Sequence, residues 1–210
     1  NRCRLLIRYT RCPVCRGSSL KCVAFASGRG TNIATLIQAE RAGQLGSATI
    51  SGLIVNRPHC GALDHAKSAQ IEHALVDHKS FDSRAEFEDA LLRSLAPMQP
   101  DLIILAGFMR ILTPYFLDRS TAPIVNLHPA LLPAFPGAHA IEDAFQAKVR
   151  ISGCSTHLVT ADLDAGPVLM QGVVPLRVTD TLDEFRTRIQ SMEYRVLPST
   201  IAALARGDLK

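Results

Sequence analysis

The fold of this chain is decided by one stretch, Cys22-Val-Ala-Phe-Ala-Ser-Gly-Arg-Gly-Thr-Asn32, which continues as Ile-Ala-Thr-Leu-Ile-Gln-Ala-Glu40. Residues 22–26 are an apolar strand, and apolar residues at 33, 36 and 37 predict one face of a helix. A strand, a glycine loop and a helix start can hold a phosphate, because free N–H groups and the positive end of the helix dipole point at the anion. The stretch lacks the third glycine of a dinucleotide fingerprint and the Gly-Lys of a Walker loop, so an ordinary βα turn is the alternative.

Further βα units follow this first one. Apolar runs predict strands at 49–55, 74–77 and 101–106, and periodic runs predict helices at 64–70, 84–95 and, with Pro114 in its first turn, just after residue 112. Ser83 and Glu86 have the spacing of a capping box at the start of the second of these helices. The run at 101–106 is fully apolar, as in a central parallel strand. The repetition predicts an α/β fold with a doubly wound, mostly parallel sheet.

The pattern changes after a predicted helix at 139–148. Residues 154–160 and 168–174 are β-rich, and no helix separates them, so they are predicted to pair as an antiparallel hairpin appended to the sheet. Their connection, 161–167, is too long for a tight turn and carries Asp162 and Asp164; long loops of this kind are often functional. A closing helix is predicted from Thr181, its cap, to about residue 205.

The stretch Asn126-Leu-His128-Pro129 follows the apolar run at 122–125 and leads into a loop rich in proline and glycine. Asn126 and His128 are therefore predicted to lie where a strand ends and a stiff loop begins, which is where ligands bind in open α/β sheets. They are two positions apart on an extended backbone, so both side chains can face one cleft. An amide donor beside an imidazole suits a reaction that develops negative charge on a carbonyl oxygen. A capping Asn and a surface His are the plainer interpretation.

Composition fits a globular chain of 210 residues, with 47% hydrophobic and 20% charged residues. Residues 1–20 contain five arginines and no acid, and subtracting these charges from the net +4 leaves −1 for the body, which does not suggest a nucleic-acid surface. We therefore treat 1–20 as a leader outside the fold and 21–210 as a single domain. No apolar run approaches the roughly 20 residues that span a bilayer, so no membrane association is expected.

The six cysteines divide in the same way as the charge. Cys12 and Cys15 have the spacing of half a zinc site, which Cys3 and Cys22 could complete. We expect no such site, because the leader offers no secondary structure to support it. The isolated Cys60 and Cys154 favour a reducing compartment, and hence a cytoplasmic location.

Three motifs, Gly-x-Gly-Thr-Asn, Asn-x-His-Pro with Leu-Leu-Pro after it, and Ser-x-His-x6-Asp-x-Gly-Pro, recur in this order in one family. From about Lys21 to Lys210 the chain resembles the phosphoribosylglycinamide formyltransferases, folate-dependent enzymes of purine synthesis. The resemblance implies transfer of a formyl group from 10-formyltetrahydrofolate, the co-substrate, to the amine of glycinamide ribonucleotide, with no metal. It implies small-molecule substrates and no nucleic-acid partner, and it leaves monomer and homodimer both open.

The resemblance also implies roles for the residues at matching positions. The catalytic residues would be Asn126, His128 and Asp164, with His157 in the hydrogen-bond support around Asp164. The ribonucleotide would be held at its phosphate by Gly30, Thr31 and Asn32 and at its ribose by Glu193. The folate pocket would be lined by Arg84, Met109, Arg110, Ile111, Leu112, Asn126, Thr160, Ala161, Asp162, Leu163 and Asp164. Each has a plainer alternative: Asp164 as a turn carboxylate, Glu193 as a surface charge, His157 as a core histidine.

Ala134 departs from the pattern, because relatives often have a lysine there, and a charge on the substrate side is then missing.

Three other functions share features with this chain. A formyltetrahydrofolate hydrolase has the same Asn-His-Asp core but usually an additional N-terminal domain, and a methionyl-tRNA formyltransferase usually has a C-terminal domain and a basic surface. A catalytically inactive phosphosugar- or folate-binding module is the third, although all three catalytic positions are filled here.

Overall fold

A computed structural model describes residues 19–209 and contains one seven-stranded sheet. The strands are β1 (Leu20–Ala26), β2 (Ala48–Val55), β3 (Glu72–Leu75), β4 (Leu102–Leu105), β5 (Ile124–His128), β6 (Ile151–Leu158) and β7 (Val168–Pro175). Six α-helices connect or follow them: α1 (Thr31–Arg41), α2 (Gly61–Ser68), α3 (Arg84–Leu95), α4 (Pro114–Arg119), α5 (Ala140–Gln146) and α6 (Leu182–Arg206). Short 3₁₀ turns lie at His78–Ser80 and Ala96–Met98.

The strand order, β3-β2-β1-β4-β5-β6-β7, confirms the predicted fold class. The first five strands are parallel, whereas β6 pairs antiparallel with β5 and with β7. The chain builds outward from β1 to β3 and then returns to the other side of β1 with β4. The carboxyl ends of β1 and β4 therefore flank a switch in strand order, the place where open α/β sheets bind ligands.

Helices cover both faces of the sheet because successive side chains of a strand point to opposite faces. On β1, Cys22 and Ala24 pack with α1, α2 and α6, whereas Val23 and Phe25 pack with α3 and α4. Strands buried on both faces need apolar residues throughout, which explains the continuous apolar run of β1. A third cluster joins α5, β7 and the first turns of α6 through buried residues such as Phe185.

The first strand begins one residue before the predicted start of the domain at residue 21. Leu20 begins β1 and is 6% exposed, and the Ser19 hydroxyl donates to the Ser47 carbonyl at 2.8 Å. The remainder of the predicted leader, with Cys3, Cys12 and Cys15, lies outside the described residues. Cys22 is fully buried in β1 among apolar residues, and this burial raises the pKa of its thiol.

Several predicted elements are shifted. Helix α2 begins at Gly61 rather than at 64, and β3 occupies 72–75 rather than 74–77. Strand β5 continues through His128 instead of ending near Asn126, because residues 125–128 pair with β6. The predicted caps of α3 and α6 are present: the Ser83 and Thr181 side chains accept the N–H groups of Glu86 and Glu184. Among residues 19–209, no helix is long and apolar enough to cross a membrane.

Candidate active site

The center of the site is a row of polar side chains on β5 and β6. Asn126 and His128 lie on the same face of β5, two positions apart, as predicted. Asn126 is paired directly with His157 of β6, and its Nδ2 lies 3.1 Å from His157 Nε2. Asn126 is partly exposed, whereas His128 and His157 are buried.

Asp164 reaches this row from the loop between β6 and β7. Its Oδ2 lies 3.3 Å from His128 Nδ1 and accepts the Gly137 N–H at 2.8 Å, and its Oδ1 lies 3.5 Å from His157 Nε2. The residue has a left-handed backbone, with φ 51°, a conformation that Asp and Asn adopt more readily than most residues. The contacts with His128, His157 and Gly137 argue against the plainer interpretation of Asp164 as a carboxylate that serves only its own turn.

The contacts of His128 place an acceptor at each of its ring nitrogens. Its Nε2 lies 2.8 Å from the carbonyl oxygen of Phe135, which can only accept, so Nε2 carries a proton. Its Nδ1 faces the Asp164 carboxylate, and an ionised carboxylate also only accepts. Both ring nitrogens are occupied in this arrangement, and the side chain is almost completely buried.

The surroundings of Asp164 keep it ionised. The pKa of this carboxyl lies below its ordinary value, chiefly because of the hydrogen bond with His157, and burial opposes the shift. The Gly137 N–H and the charge of His128 lower it further. His157 Nδ1 lies 3.1 Å from the Leu158 carbonyl oxygen, and its Nε2 faces both Asp164 Oδ1 and the Asn126 amide. With a proton on Nε2 the ring donates to Asp164, and without one Nε2 accepts from Asn126.

The glycine loop lies at the carboxyl end of β1, which β4 separates from β5 in the sheet. Gly30 is in the left-handed region, with φ 77°, and a Cβ there would lie 2.4 Å from the Ala62 Cα atom, so this position requires glycine. No side chain caps the start of α1, and its first turn contains no acid. The N–H groups at this helix start are thus free of a side-chain cap, and an anion site at Gly30, Thr31 and Asn32 stays a prediction.

Glu193 of α6 lies beside this helix start. It is 9% exposed, and the Asn32 Nδ2 atom donates to its Oε2 at 3.5 Å. Burial raises the pKa of Glu193 to about 7, and the Asn32 hydrogen bond opposes the shift. Glu193 is therefore not a surface charge, and the Asn32 side chain faces it.

The predicted folate residues form two segments. In 109–112, Met109 and Ile111 are exposed, whereas Leu112 is 5% exposed and packs in the core, so mainly its backbone can contact a ligand. Arg84 holds this segment by donating to the Ile111 carbonyl at 2.7 Å, and the Arg110 guanidinium stacks on Phe87 at 5.4 Å. The second segment, Thr160 to Leu163, belongs to the loop between β6 and β7 that also carries Asp164.

Some contacts at the site involve residues that no sequence motif indicates. Ser27 accepts the Met109 N–H at 2.7 Å and so ties the glycine loop to the 109–112 segment. Glu88 is buried and accepts from both the backbone and the hydroxyl of Thr113. The Phe135 carbonyl and the Gly137 N–H are backbone groups, so the residue types at these positions do not indicate their contacts.

Comparison with known proteins agrees with this geometry. The family described as formyl transferase matches residues 20–201. The chain belongs to the formyl transferase family. It is 34% identical over 188 residues to the phosphoribosylglycinamide formyltransferase of Escherichia coli, covering 90% of this chain and 88% of that protein. The predicted resemblance is therefore confirmed.

Solved formyltransferases have the same fold. The glycinamide ribonucleotide transformylase 1 of Symbiobacterium toebii superposes with a TM-score of 0.87 at 34% identity, covering 91% of this chain and 90% of that one. The phosphoribosylglycinamide formyltransferase of Bacillus halodurans gives 0.84 at 38% identity, covering 88% and 94%. The chain spans only 19% of a longer relative, the trifunctional purine biosynthetic protein adenosine-3 of Gallus gallus, at 36% identity over 92% of this chain.

Proposed function

We propose that the chain transfers the formyl group of 10-formyltetrahydrofolate to the amine of glycinamide ribonucleotide, giving formylglycinamide ribonucleotide and tetrahydrofolate in purine biosynthesis. One observation carries the proposal: Asp164 connects to His128 and, through His157, to Asn126 at the carboxyl end of β5. Together with the uncapped start of α1, this arrangement offers a charged reaction center and an anion site in one cleft.

The first task of the site is to stabilise the formyl oxygen, which becomes negative as the amine attacks the formyl carbon. Asn126 is the partly exposed donor, and one of its amide hydrogens remains for substrate when the other points to His157. His128 contributes the positive charge of its ring. A direct N–H contact from His128 would require the Phe135 carbonyl to be displaced from Nε2.

The second task is proton movement. The attacking amine loses a proton, and the leaving folate nitrogen gains one. Asp164 is well placed to keep His128 charged, because an adjacent carboxylate favours the imidazolium. Its lowered pKa makes it a weak base in the resting protein, so we assign it chiefly this electrostatic role, with proton acceptance through a water as its second role.

The remaining predicted residues bind the two substrates. Gly30, Thr31 and Asn32 present the helix start to the ribonucleotide phosphate, and Glu193 approaches the ribose. Arg84, the 109–112 segment and the loop 160–164 border the folate. The proposed reaction involves no metal. We also propose small molecules as its only reaction partners and a cytoplasmic location, in line with the buried free thiols of Cys22, Cys60 and Cys154.

The deciding experiment is an assay of formyl transfer from 10-formyltetrahydrofolate to glycinamide ribonucleotide, with a control that contains water as the only acceptor. We expect formylated ribonucleotide and little tetrahydrofolate in the control. Equal folate release with and without ribonucleotide would identify a hydrolase. Turnover of methionyl-tRNA in place of the ribonucleotide would identify the other transferase, and no turnover with any acceptor would favour a binding module.

A further inference from the structure

The segment 129–138, which we call the proline loop, completes the surroundings of both ionisable residues at the reaction center. Its Phe135 carbonyl accepts from His128 Nε2, and its Gly137 N–H donates to Asp164 Oδ2. A shift of this loop would change the contacts of His128 and of Asp164 together. The groups that fix the loop therefore matter for the reaction.

Two polar side chains of the hairpin hold the beginning of the proline loop. The Ser155 hydroxyl donates to the Ala130 carbonyl at 2.7 Å and accepts the Leu132 N–H at 3.0 Å. Gln171 Nε2 lies 2.9 Å from the Ser155 oxygen and 3.0 Å from the Leu132 carbonyl oxygen. Three hydrogen bonds thus connect the two side chains to Ala130 and Leu132 of the loop, and a fourth connects the two side chains to each other.

This network has a single consistent arrangement of hydrogens. A serine hydroxyl has one donor and two acceptor sites, and here all three are used. Both hydrogens of Gln171 Nε2 are used as well. Reversing the Gln171 amide would place its oxygen against the Leu132 carbonyl oxygen, two acceptors without a hydrogen between them. The amide orientation is therefore fixed by its partners.

The sheet register explains why Gln171 reaches the reaction center. Ser155 on β6 lies directly opposite His128 on β5 and, on its other side, directly opposite Gln171 on β7. Cross-strand partners point to the same face of a sheet. The three side chains therefore form one row, with His128 at one end and Gln171 at the other.

We propose that Gln171 is a positioning residue for formyl transfer, which acts through Ser155 and Leu132 to hold the Phe135 carbonyl on His128 and the Gly137 N–H on Asp164. The kinetic part of this inference rests on the proposed function. The part that concerns the ionisation of Asp164 does not, because it follows from the contacts of the loop alone.

The Gly137 N–H of the loop helps to keep Asp164 ionised, because it donates to the carboxylate at 2.8 Å. His157 from β6, His128 from β5 and the Gly137 N–H from the proline loop all lower the pKa of this carboxyl, with His157 giving the largest share. Loosening the loop removes the contribution of Gly137 to this lowering of the pKa and leaves the contribution of His157. The pKa of Asp164 then rises, and the acid limb of the rate profile moves to higher pH.

The test uses two substitutions at Gln171 and one control. Gln171→Met keeps the length of the side chain and removes both donors, and Gln171→Glu also brings a carboxylate against the Leu132 carbonyl. Gln171 is exposed, so neither change opens a cavity in the core. The control is Thr156→Val on the opposite face of β6, which removes the contacts of a buried hydroxyl with Thr200 and the Met170 carbonyl.

We expect kcat to fall about tenfold for Gln171→Met and further for Gln171→Glu, because small misplacements of reacting groups are costly. The KM for the ribonucleotide should stay nearly constant. The midpoint of the Asp164 carboxyl titration, followed by ¹³C NMR, should rise in both variants. Thr156→Val should lower Tm and leave kcat and the Asp164 midpoint unchanged.

An unchanged Asp164 midpoint in both Gln171 variants would overturn the proposal, as would an equal shift in Thr156→Val. The NMR titration needs no turnover. If the unaltered protein transferred no formyl group, the proposed function would fail, while the titration would still decide whether Gln171 positions the loop.

Discussion

The two ends of the proposed cleft present different kinds of groups, backbone groups at one end and side chains at the other. At the phosphate end, consecutive residues of one loop, Gly28 to Asn32, offer backbone N–H groups at the start of α1. At the formyl end, side chains from β5, from β6 and from the loop after β6 converge on Asp164. A backbone site depends on the path of the chain, whereas a side-chain site depends on each functional group. The two ends should therefore respond differently to substitution.

The largest effect is expected for Asp164→Asn. Asn tolerates the left-handed backbone at this position, so the shape of the loop is kept while the charge opposite His128 and the proton acceptor are lost. We expect kcat to fall by at least about 10²-fold, in line with general acid–base contributions, with little change in KM for the ribonucleotide. Steady-state kinetics at saturating folate measure both constants.

The matched control for that variant is Asp118→Asn, which removes an exposed carboxylate on α4. Its kinetics should equal those of the unaltered protein. A near-normal kcat for Asp164→Asn would mean that the carboxylate is only a loop residue, and the proposed mechanism would then be wrong although the family is right.

A moderate effect, on KM rather than on kcat, is expected for Asn32→Leu. The backbone N–H groups of the helix start remain, but the larger apolar side chain crowds the anion site and removes the contact with Glu193. We expect KM for the ribonucleotide to rise about tenfold, with a smaller loss of kcat, because remote binding energy also helps to orient the amine. Thr35→Val, one turn further along α1, is the control. A loss confined to kcat would contradict the assignment of this end to binding.

Glu193→Gln should change the free energy of unfolding in a pH-dependent manner. The pKa of Glu193 is raised in the folded state to about 7, so its stabilising contribution is present at low pH and is lost as the pH rises through that value. Near pH 4.5 the free energy of unfolding of the variant should match that of the unaltered protein. Above pH 8 it should be higher than that of the unaltered protein by up to about 3 kcal/mol. Two neighbouring groups interact with this carboxyl: Asn32 donates a hydrogen bond to it, and its negative charge raises the pKa of the Cys154 thiol.

Denaturant unfolding at several pH values measures this difference. A difference between Glu193→Gln and the unaltered protein that did not vary with pH would show that the carboxyl has an ordinary pKa, and the position would then be less desolvated than the structure indicates.

The smallest effect concerns the N-terminal boundary. Removing residues 1–18 should leave Tm and kinetics nearly unchanged, as predicted for the leader. Removing residues 1–20 also removes the buried Leu20 side chain and the hydrogen bond from the Ser19 hydroxyl, and should destabilise by about 2 kcal/mol. Thermal unfolding of the two truncated proteins separates these outcomes. Equal Tm values would place the boundary at residue 21, and a large loss for the shorter truncation would show that 1–18 is part of the fold.

Much of the fold could be predicted from the sequence because the apolar runs of β1, β2 and β4 and the caps Ser83 and Thr181 are local signals. The errors fall where tertiary contacts override local signals. Helix α2 begins at Gly61 without a side-chain cap, and a Cβ at that position would lie 2.6 Å from the Arg29 carbonyl oxygen. Strand β3 is a short edge strand of mostly exposed residues and lacks an apolar pattern.

The candidate site was predictable only in part for the same reason. Asn126 and His128 stand at a strand end, and the glycine loop is a compact motif. The length of the loop after β6 pointed to Asp164, but its role and those of Glu193 and the folate segments came from the resemblance. Gln171 and the Phe135 carbonyl gave no signal, because their importance follows from the register of β6 and β7 and from the path of a loop. The cross-strand row that links His128 to Gln171 could be recognised only once the register was known.

The most direct test of the division between the two ends is the double variant Asn32→Leu/Asp164→Asn. If one end binds and the other reacts, the two losses in kcat/KM should multiply within about twofold, as expected for independent sites. The measurement is kcat/KM for the ribonucleotide in the two single variants and the double variant at one pH and saturating folate. A double variant no worse than Asp164→Asn alone would contradict the account, because the two ends would then act as one unit.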